Sequence, residues 1–279
     1  MASPAASAYR VVLGIILRSY RERARLEPRR VAEALGWYGV GKVSKVEAGT
    51  VRLTEEEVDA LLGLFGISGQ EADKLREFGV RARERNGPGR TPAWGETYKV
   101  LEAQASEIKA YRETTLHGLV QTEDYARALL SMSLTTPPAD LERNARERAG
   151  RQELLTSSTP PDFWLVVSEA VLHRPVGGSK VFRAQLSRLR ELAELPNVTF
   201  QVIPNERGEH HALGTPFTLL HLTVPIFTFA YLEGLTDANY LDHPDATKVY
   251  RLAFDRLRVT ALDDRESVKL LDRRIKEIE

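Results

Sequence analysis

The sequence predicts an all-α N-terminal domain followed by a mixed α/β C-terminal domain, which consists of helices and a small mixed sheet of about four strands. Between residues 9 and 80, apolar side chains recur at intervals of three and four, as on one face of a helix. Helix breakers then cluster at 86–92, and beyond them β-rich apolar runs alternate with helical patterns. We therefore predict a first domain at 1–85, a linker at 86–94 and a second domain at 95–279.

The N-terminal domain is predicted to begin with two helices. The first has a continuous apolar face at helical spacing, and arginines crowd its other faces. Its apolar residues are Leu13, Ile16, Leu17, Tyr20 and Ala24. Pro28 can begin the second helix, since proline is tolerated in a first helical turn. Gly36 can end it, because glycine accepts the left-handed conformation that follows many helices.

Three further short helices are predicted in this domain. The third has an apolar stripe of three valines and ends at Gly49. The fourth and fifth each begin with a capping box, in which a hydroxyl residue and a glutamate three positions later satisfy each other's backbone N–H groups. These boxes are Thr54 with Glu57 and Ser68 with Glu71. The five helices together predict a compact helical domain.

The segment that joins the second and third helices resembles the helix-turn-helix core of the lambda and 434 repressor class, often called the XRE family. The matching residues are Leu35, Gly36, Val43, Ser44, Val46, Glu47 and Gly49. The resemblance implies that the helix at 28–35 crosses the DNA backbone while residues 40–48 lie in the major groove. It also implies a structural ion pair between Arg21 and Glu47. The turn at 37–41 is one residue longer than is usual in this class.

The resemblance identifies a set of residues that would contact double-stranded DNA. They are Arg29, Arg30, Tyr38, Gly39, Val40, Gly41, Lys42, Ser44, Lys45 and Arg52. Among them, Lys45 is the expected donor to guanine, and Val40 can meet a thymine methyl group. The arginines at 29, 30 and 52, together with Lys42, would contact phosphates, which position a protein on DNA without specifying sequence.

The charge distribution agrees with a DNA-facing surface. The whole chain is neutral, with 39 basic and 39 acidic residues. Residues 9–52 nevertheless contain ten Lys or Arg against four Glu, whereas residues 53–80 contain seven acids against two bases. A one-sided basic patch is the expected electrostatic signature of DNA binding. Two alternatives stay open: an ordinary solvated face, and a degenerate helix-turn-helix that makes only protein contacts.

The C-terminal domain is predicted from helical stripes and β-rich runs. We predict a helix of about 16 residues that includes Tyr98, Ile108 and Tyr111, as estimated from its apolar spacing. Further helices are expected at about 139–156 and 179–193, and two more end the chain. The predicted strands are 163–167, 198–203, 217–222 and 227–232. The first two should be parallel, since a helix connects them.

Nearly the whole second domain is similar to the large uncharacterised domain found behind such helix-turn-helices in many actinobacterial regulators. The matching blocks are 118–127, 148–152, 168–178, 185–189, 196–198, 201–204 and 214–217. The resemblance implies a transcription regulator that is often encoded beside a small partner protein with antitoxin-like or toxin-like behaviour. It implies no established catalytic activity.

The carboxyl ends of the predicted strands suggest where a small-molecule ligand would bind, since open α/β sheets bind ligands at that edge. The candidate pocket residues are Glu169, His210, His211, Glu233 and Tyr240. Salt bridges and helix caps are the alternative for the carboxylates. The adjacent histidines point to opposite sides if the backbone is extended, so we predict no metal site.

Several function classes are excluded or disfavoured. The chain has no cysteine, which excludes disulfides and thiolate chemistry. No Gly-x-Ser-x-Gly elbow or phosphate-binding loop is present, and we predict no catalytic residue, no enzyme activity and no cofactor. The chain lacks a signal-peptide pattern and an apolar run long enough for a membrane span, so we expect a cytoplasmic protein. We also expect a homodimer, because one recognition helix touches too few bases for adequate specificity. An antitoxin-like interaction module and a small-molecule sensor or enzyme domain stay open as alternatives.

Overall fold

The structure is a computed structural model. It describes residues 8–83, 94–134, 136–223, 226–235 and 238–278. The linker predicted at 86–94 lies outside the described residues except for its last residue, Trp94. The chain divides into two compact units, and each is described by itself. The first contains residues 1–104, 221–229 and 237–247, and the second contains 105–220, 230–236 and 248–279.

The five helices predicted before residue 84 are present. They are α1 (Ala8–Arg23), α2 (Pro28–Ala34), α3 (Val40–Glu47), α4 (Glu55–Leu64) and α5 (Gly69–Arg83). Thr54 caps α4 as predicted: its side chain accepts a hydrogen bond from the Glu57 N–H at 3.2 Å, and the Glu57 carboxylate accepts one from the Thr54 N–H at 3.0 Å. A sixth helix, α6 (Trp94–Gln104), follows. The helical character of the N-terminal region is therefore confirmed.

In the part of the chain that the structure describes, six strands form one mixed sheet, so the expectation of about four strands was too low. They are β1 (Glu107–Arg112), β2 (Asp162–Ser168), β3 (Val198–Ile203), β4 (Phe217–Thr223), β5 (Ile226–Glu233) and β6 (Ala238–Leu241). Their order in the sheet is β3-β2-β1-β4-β5-β6. The strands β1, β2 and β3 pair in parallel, with Ile108 beside Phe163 and Phe163 beside Val198. The four predicted runs correspond to β2 to β5.

The two additional strands have different physical origins. The helix predicted through Tyr111 was wrong beyond residue 104, because α6 ends at Gln104 and β1 begins at Glu107. Ile108 and Tyr111 are three residues apart, which fits a helical face, but both are fully buried in a central strand. A strand covered on both faces has no simple alternation by which to recognise it. β6 has only four residues, too few for a periodic pattern.

The remaining helices cover and connect the sheet. They are α7 (Glu123–Leu130), α8 (Leu141–Gly150), α9 (Ser179–Leu192), α10 (Pro244–Thr260) and α11 (Asp264–Glu277). Short 3₁₀ helices lie at Gly118–Val120, Pro138–Asp140, Arg151–Thr156, Glu169–His173 and Asn205–Arg207. The helix α9 connects β2 to the parallel strand β3, as predicted. The α10–α11 turn is tied to β3, since Leu262 N–H donates to the Val202 carbonyl at 2.9 Å. In the described ranges, none of these helices has the length and apolarity that crossing a membrane requires.

Candidate nucleic-acid interface

The turn between α2 and α3 depends on two glycines with positive φ. Gly36 has φ 64° and Gly39 has φ 94°, a region in which side chains other than glycine are strained. Between them, the Trp37 N–H donates to the Ala32 carbonyl at 2.8 Å and fixes the turn onto the end of α2. Because α3 begins at Val40, residues 40 and 41 lie in its first helical turn and not in the loop predicted at 37–41.

The helix α3 is seated on α1 through close backbone contact. Its inner side chains Val43 and Val46 are buried. A Cβ atom at Gly14 would lie 2.4 Å from the Val46 carbonyl oxygen, so only glycine permits this approach of the two helices. Gly49, with φ 67°, makes a second close contact: a Cβ there would lie 2.7 Å from Val11 Cα. The outer face of α3 is therefore held in a defined position relative to α1.

The predicted ion pair between α1 and α3 is present in the structure. Arg21 Nε donates to Glu47 Oε1 at 2.5 Å, and Arg21 Nη2 donates to Glu47 Oε2 at 3.1 Å. The side chains are only 11% and 14% exposed. The hydrogen bond to Glu47 raises the pKa of Arg21 above its usual value. This two-point contact joins α1 to the C-terminal end of α3.

Arg10 makes an internal contact that sequence reasoning missed. Arg10 is one of the ten basic residues counted at 9–52 in the sequence, but its side chain is buried in the structure. Its Nε donates to the Gly49 carbonyl at 3.3 Å and its Nη1 donates to the Ala82 carbonyl at 3.4 Å. Burial, and then the nearby charge of Arg52, lower the pKa of Arg10, whereas Asp242 acts in the opposite direction. Burial in turn raises the pKa of Asp242 to about 6.

The outer face of this region presents most of the predicted DNA contacts to solvent. The exposed positions are Arg29, Arg30, Tyr38, Gly39, Val40, Gly41, Ser44, Lys45 and Arg52. Tyr38 is fully exposed, and Val40 is 47% exposed at the start of α3. Within the described part of the chain, the side chains of Lys45 and Arg52 form no ion pair. Both cations can therefore engage an anionic ligand without breaking an internal bond.

Two predicted phosphate contacts share an internal partner. Arg29 Nε lies 3.0 Å from one carboxylate oxygen of Glu33, and Arg30 Nη1 lies 3.4 Å from the other. Both guanidinium groups are highly exposed, at 84% and 76%. Such surface pairs contribute little to stability, so they are easily exchanged for a phosphate contact.

Lys42 differs from the other predicted contacts because it is held by its own domain. Its ammonium group bonds Glu57 and lies over the Trp37 ring, 4.6 Å from the ring centroid. Burial alone would raise the pKa of Glu57, but its bonds to Lys42 and Thr54 lower it overall. Glu57 therefore links α3, the preceding turn and the cap of α4. The sequence predicted only its role in the cap.

The predicted pocket residues occupy separate surroundings. Glu169 accepts a hydrogen bond from the Asn205 N–H at 2.9 Å, and His210 Nε2 lies 3.1 Å from Tyr111 Oη. Burial lowers the pKa of His210. The side chains of His211 and Glu233 are exposed. No hydrogen bond or ion pair joins Glu169 to any of these three in the described ranges.

The fifth pocket candidate, Tyr240, belongs to the first compact unit, whereas the other four belong to the second. The ligand pocket at these positions stays a prediction. Among the residues that the structure describes, no group of three or more His, Asp or Glu side chains could hold a metal ion.

Comparisons with known proteins give two matches that together span most of the chain. Residues 96–273 match the model of a family described as a domain of unknown function (DUF5753). Residues 12–75 match the model of a helix-turn-helix domain, which covers α2 to α4, most of α1 and the first half of α5. No curated protein and no solved structure matches the chain.

Proposed function

We propose that this chain, which belongs to the DUF5753 family and carries a helix-turn-helix domain, is a sequence-specific DNA-binding transcriptional regulator. The observation that carries the proposal is the exposed outer face of α3, which is seated on α1 by Gly14 and the Arg21–Glu47 pair. A rigidly held helix with an exposed basic side is suited to the major groove. We place the helix-turn-helix domain in the lambda and 434 repressor class, because proteins of that class have an arginine–glutamate pair at the positions that match Arg21 and Glu47.

The exposed residues in and around α3 are suited to different kinds of DNA contact. Lys45 forms no ion pair with any residue that the structure describes, so its ammonium group can donate to guanine O6 and N7, the commonest specific contact in the major groove. Val40, exposed at the start of the helix, can contact a thymine methyl group. Arg29, Arg30 and Arg52 would contact phosphates on either side. We assign Lys42 to positioning, because Glu57 and Trp37 already hold it.

The proposal is tested by DNA binding of the full chain. Gel-shift titrations against the upstream region of its own gene and against a random pool should show preference for a specific sequence. Affinity should decrease steeply between low and moderate salt, since each phosphate contact releases counterions. Absence of salt-dependent binding to every sequence in the pool would overturn the proposal.

We also propose that the regulator is a homodimer that uses the outer side of α10. Along this helix, one strip combines exposed apolar side chains with one acidic and one basic residue. Its residues are Asp245, Val249, Leu252, Arg256 and Val259, and the three apolar ones are 64%, 56% and 83% exposed. If two copies of α10 pack antiparallel, Val249 of one meets Leu252 of the other, and Asp245 meets Arg256. Such self-complementarity is what a two-fold interface requires.

Light scattering of the full chain tests the homodimer. Leu252→Glu places a charge in the proposed seam and should give a monomer. The matched control is Leu235→Glu, which changes another exposed leucine, away from α10, and should leave the dimer intact. A dimer that survives Leu252→Glu would contradict the assigned surface.

A further inference from the structure

The helices α1 to α4 end in the same kind of hydrogen-bonded turn, but the turn after α1 is built without glycine. In such a turn, a residue just past the helix adopts a positive φ, and its N–H and the next N–H donate to carbonyls of the last helical turn. After α2, α3 and α4 that residue is Gly36, Gly49 and Gly66, with φ of 64°, 67° and 69°. After α1 it is Arg25, with φ 53°. An arginine therefore occupies a position that favours glycine.

The positive φ of Arg25 is fixed by the surrounding backbone. The Arg25 N–H donates to the Glu22 carbonyl at 3.0 Å, and the Leu26 N–H donates to the Arg21 carbonyl at 3.0 Å. Arg21 Nη1 also donates to the Leu26 carbonyl at 3.1 Å, so the side chain that holds Glu47 also holds this turn. In the left-handed region a Cβ atom crowds the following carbonyl oxygen, whereas glycine has no Cβ. Glycine would thus make the same turn at a lower free energy.

The side chain of Arg25 has no bonded partner that would offset this cost. It is exposed, and among the residues that the structure describes it forms neither an ion pair nor a side-chain hydrogen bond. Arg29 and Arg30, the next cations along the chain, instead share the carboxylate of Glu33. A residue other than glycine that is kept in a strained conformation is often found at a functional site. The Arg25 guanidinium can bind an external anion without breaking an internal bond.

The turn of Arg25 leads into α2, whose first residues offer few donors to a phosphate. Pro28 has no N–H, and the Arg30 N–H already donates to the Glu27 carbonyl at 2.9 Å. The Glu27 side chain does not cap the helix and is exposed, so its carboxylate repels an anion. In the proposed docking, however, α2 is the helix that crosses the DNA backbone. A cation in the turn before α2 supplies the attraction that the start of this helix lacks.

We propose that Arg25 binds a phosphate of the DNA backbone and so extends the DNA interface from α2 and α3 to the turn after α1. This inference rests on the proposed DNA binding. A guanidinium group donates two parallel hydrogen bonds to phosphate oxygens, and such a contact positions the protein without reading bases. Because Arg21 ties the turn to the C-terminal end of α3, the contact also helps to set how α3 lies in the major groove.

Substitutions of Arg25 in the full chain separate its charge from its backbone strain. Arg25→Gly and Arg25→Ala both remove the charge, but only glycine relieves the strain, so its Tm should exceed that of Arg25→Ala by roughly 1–4 °C. Both should bind the DNA selected from the random pool about three- to tenfold more weakly, with a salt slope smaller by about one. Arg25→Lys should keep most of the affinity. The control Arg265→Ala, which removes an exposed cation of α11, should bind like wild type.

Neutral phosphate analogues in the DNA locate the contact. Methylphosphonates placed one at a time along the selected DNA each remove one negative charge. At one position the wild-type chain should lose affinity while Arg25→Ala loses none.

Two results would overturn the contact alone. One is normal DNA binding by Arg25→Gly and Arg25→Ala, and a lower Tm of both variants would then identify Arg25 as a cation that stabilises the end of α1. The other is an equal response of wild type and Arg25→Ala to every methylphosphonate. Absence of DNA binding by the wild-type chain is a different result, since it would overturn the proposed function as well.

Discussion

At the level of single residues, loss of the Arg21–Glu47 pair should lower the stability of the folded chain substantially. Both side chains are largely buried, so removing one partner leaves the other charge without compensation. We expect Glu47→Gln to lower the free energy of unfolding by about 3 kcal/mol. Urea unfolding followed by circular dichroism measures this change.

The matched control for that variant is the exposed pair between Arg18 and Glu22 on α1. Because both side chains of this pair are exposed to solvent, Glu22→Gln should lower the free energy of unfolding much less than Glu47→Gln does. If both glutamate variants lose the same stability, the pair to Glu47 has no special structural role.

One exposed residue of α3 and one of α2 should separate the contacts that set sequence preference from those that set overall affinity. Lys45→Ala removes the proposed guanine donor, so it should reduce discrimination between specific and random DNA by about 1–3 kcal/mol. Arg29→Ala should instead weaken binding to all sequences. It should also reduce the slope of log affinity against log salt concentration by about one, as expected for the loss of one phosphate contact. Competition gel shifts at three salt concentrations distinguish the two patterns. Identical behaviour of the two variants would contradict the assignment.

At the level of elements, the packing of α3 on α1 depends on a missing side chain. Gly14→Ala forces a methyl group against the Val46 carbonyl, so the helices must separate. We expect a loss of about 1–3 kcal/mol from overpacking, together with weaker DNA binding. Thermal unfolding and gel shifts measure both effects.

Gly63 in α4 provides the control, since a Cβ there meets nothing within 4 Å. Gly63→Ala should stabilise the helix by up to about 1 kcal/mol through higher helix propensity, with DNA binding unchanged. A destabilised Gly63→Ala variant would indicate that glycine replacement is harmful regardless of packing.

Elements differ in how well the sequence predicts them. The limits of α4 follow from local chemistry, since Thr54 and Glu57 cap its start and Gly66 lies two residues past its end. The strand β1 lacks such local marks, because its burial arises from strands far along the chain. The same limit applies to the candidate interface. The spacing of α3 predicts its exposed face, but only the folded domain brings Lys42 to Glu57 and Arg10 into the interior.

At the scale of the whole molecule, pH should change stability through Asp242. Its folded pKa of about 6 lies above the ordinary aspartate value of 3.8. Between these values the unfolded chain has already released this proton while the folded chain holds it. The stabilisation by Asp242 is therefore complete below pH 4 and lost as pH rises through about 6. Allowing for partial exposure, the loss is roughly 2 kcal/mol.

Comparison with Asp242→Asn isolates this effect, since other titrating groups such as His117 act equally in both proteins. The difference in free energy of unfolding between wild type and Asp242→Asn should change by that amount between pH 4 and pH 7 and then level off. Urea denaturation at half-unit pH steps measures the difference. A difference that does not vary with pH would show that Asp242 keeps an ordinary pKa.

The sheet order has a consequence for synthesis on the ribosome. The central strand β1 pairs with β2 on one side and β4 on the other, and β4 begins about 100 residues after β1 ends. At ordinary elongation rates, the nascent chain carries β1 with at least one unpaired edge for roughly 5–20 s. During that interval its apolar side chains lack their native cover, so chaperones that bind nascent chains should crosslink to residues 107–112 until β4 has emerged.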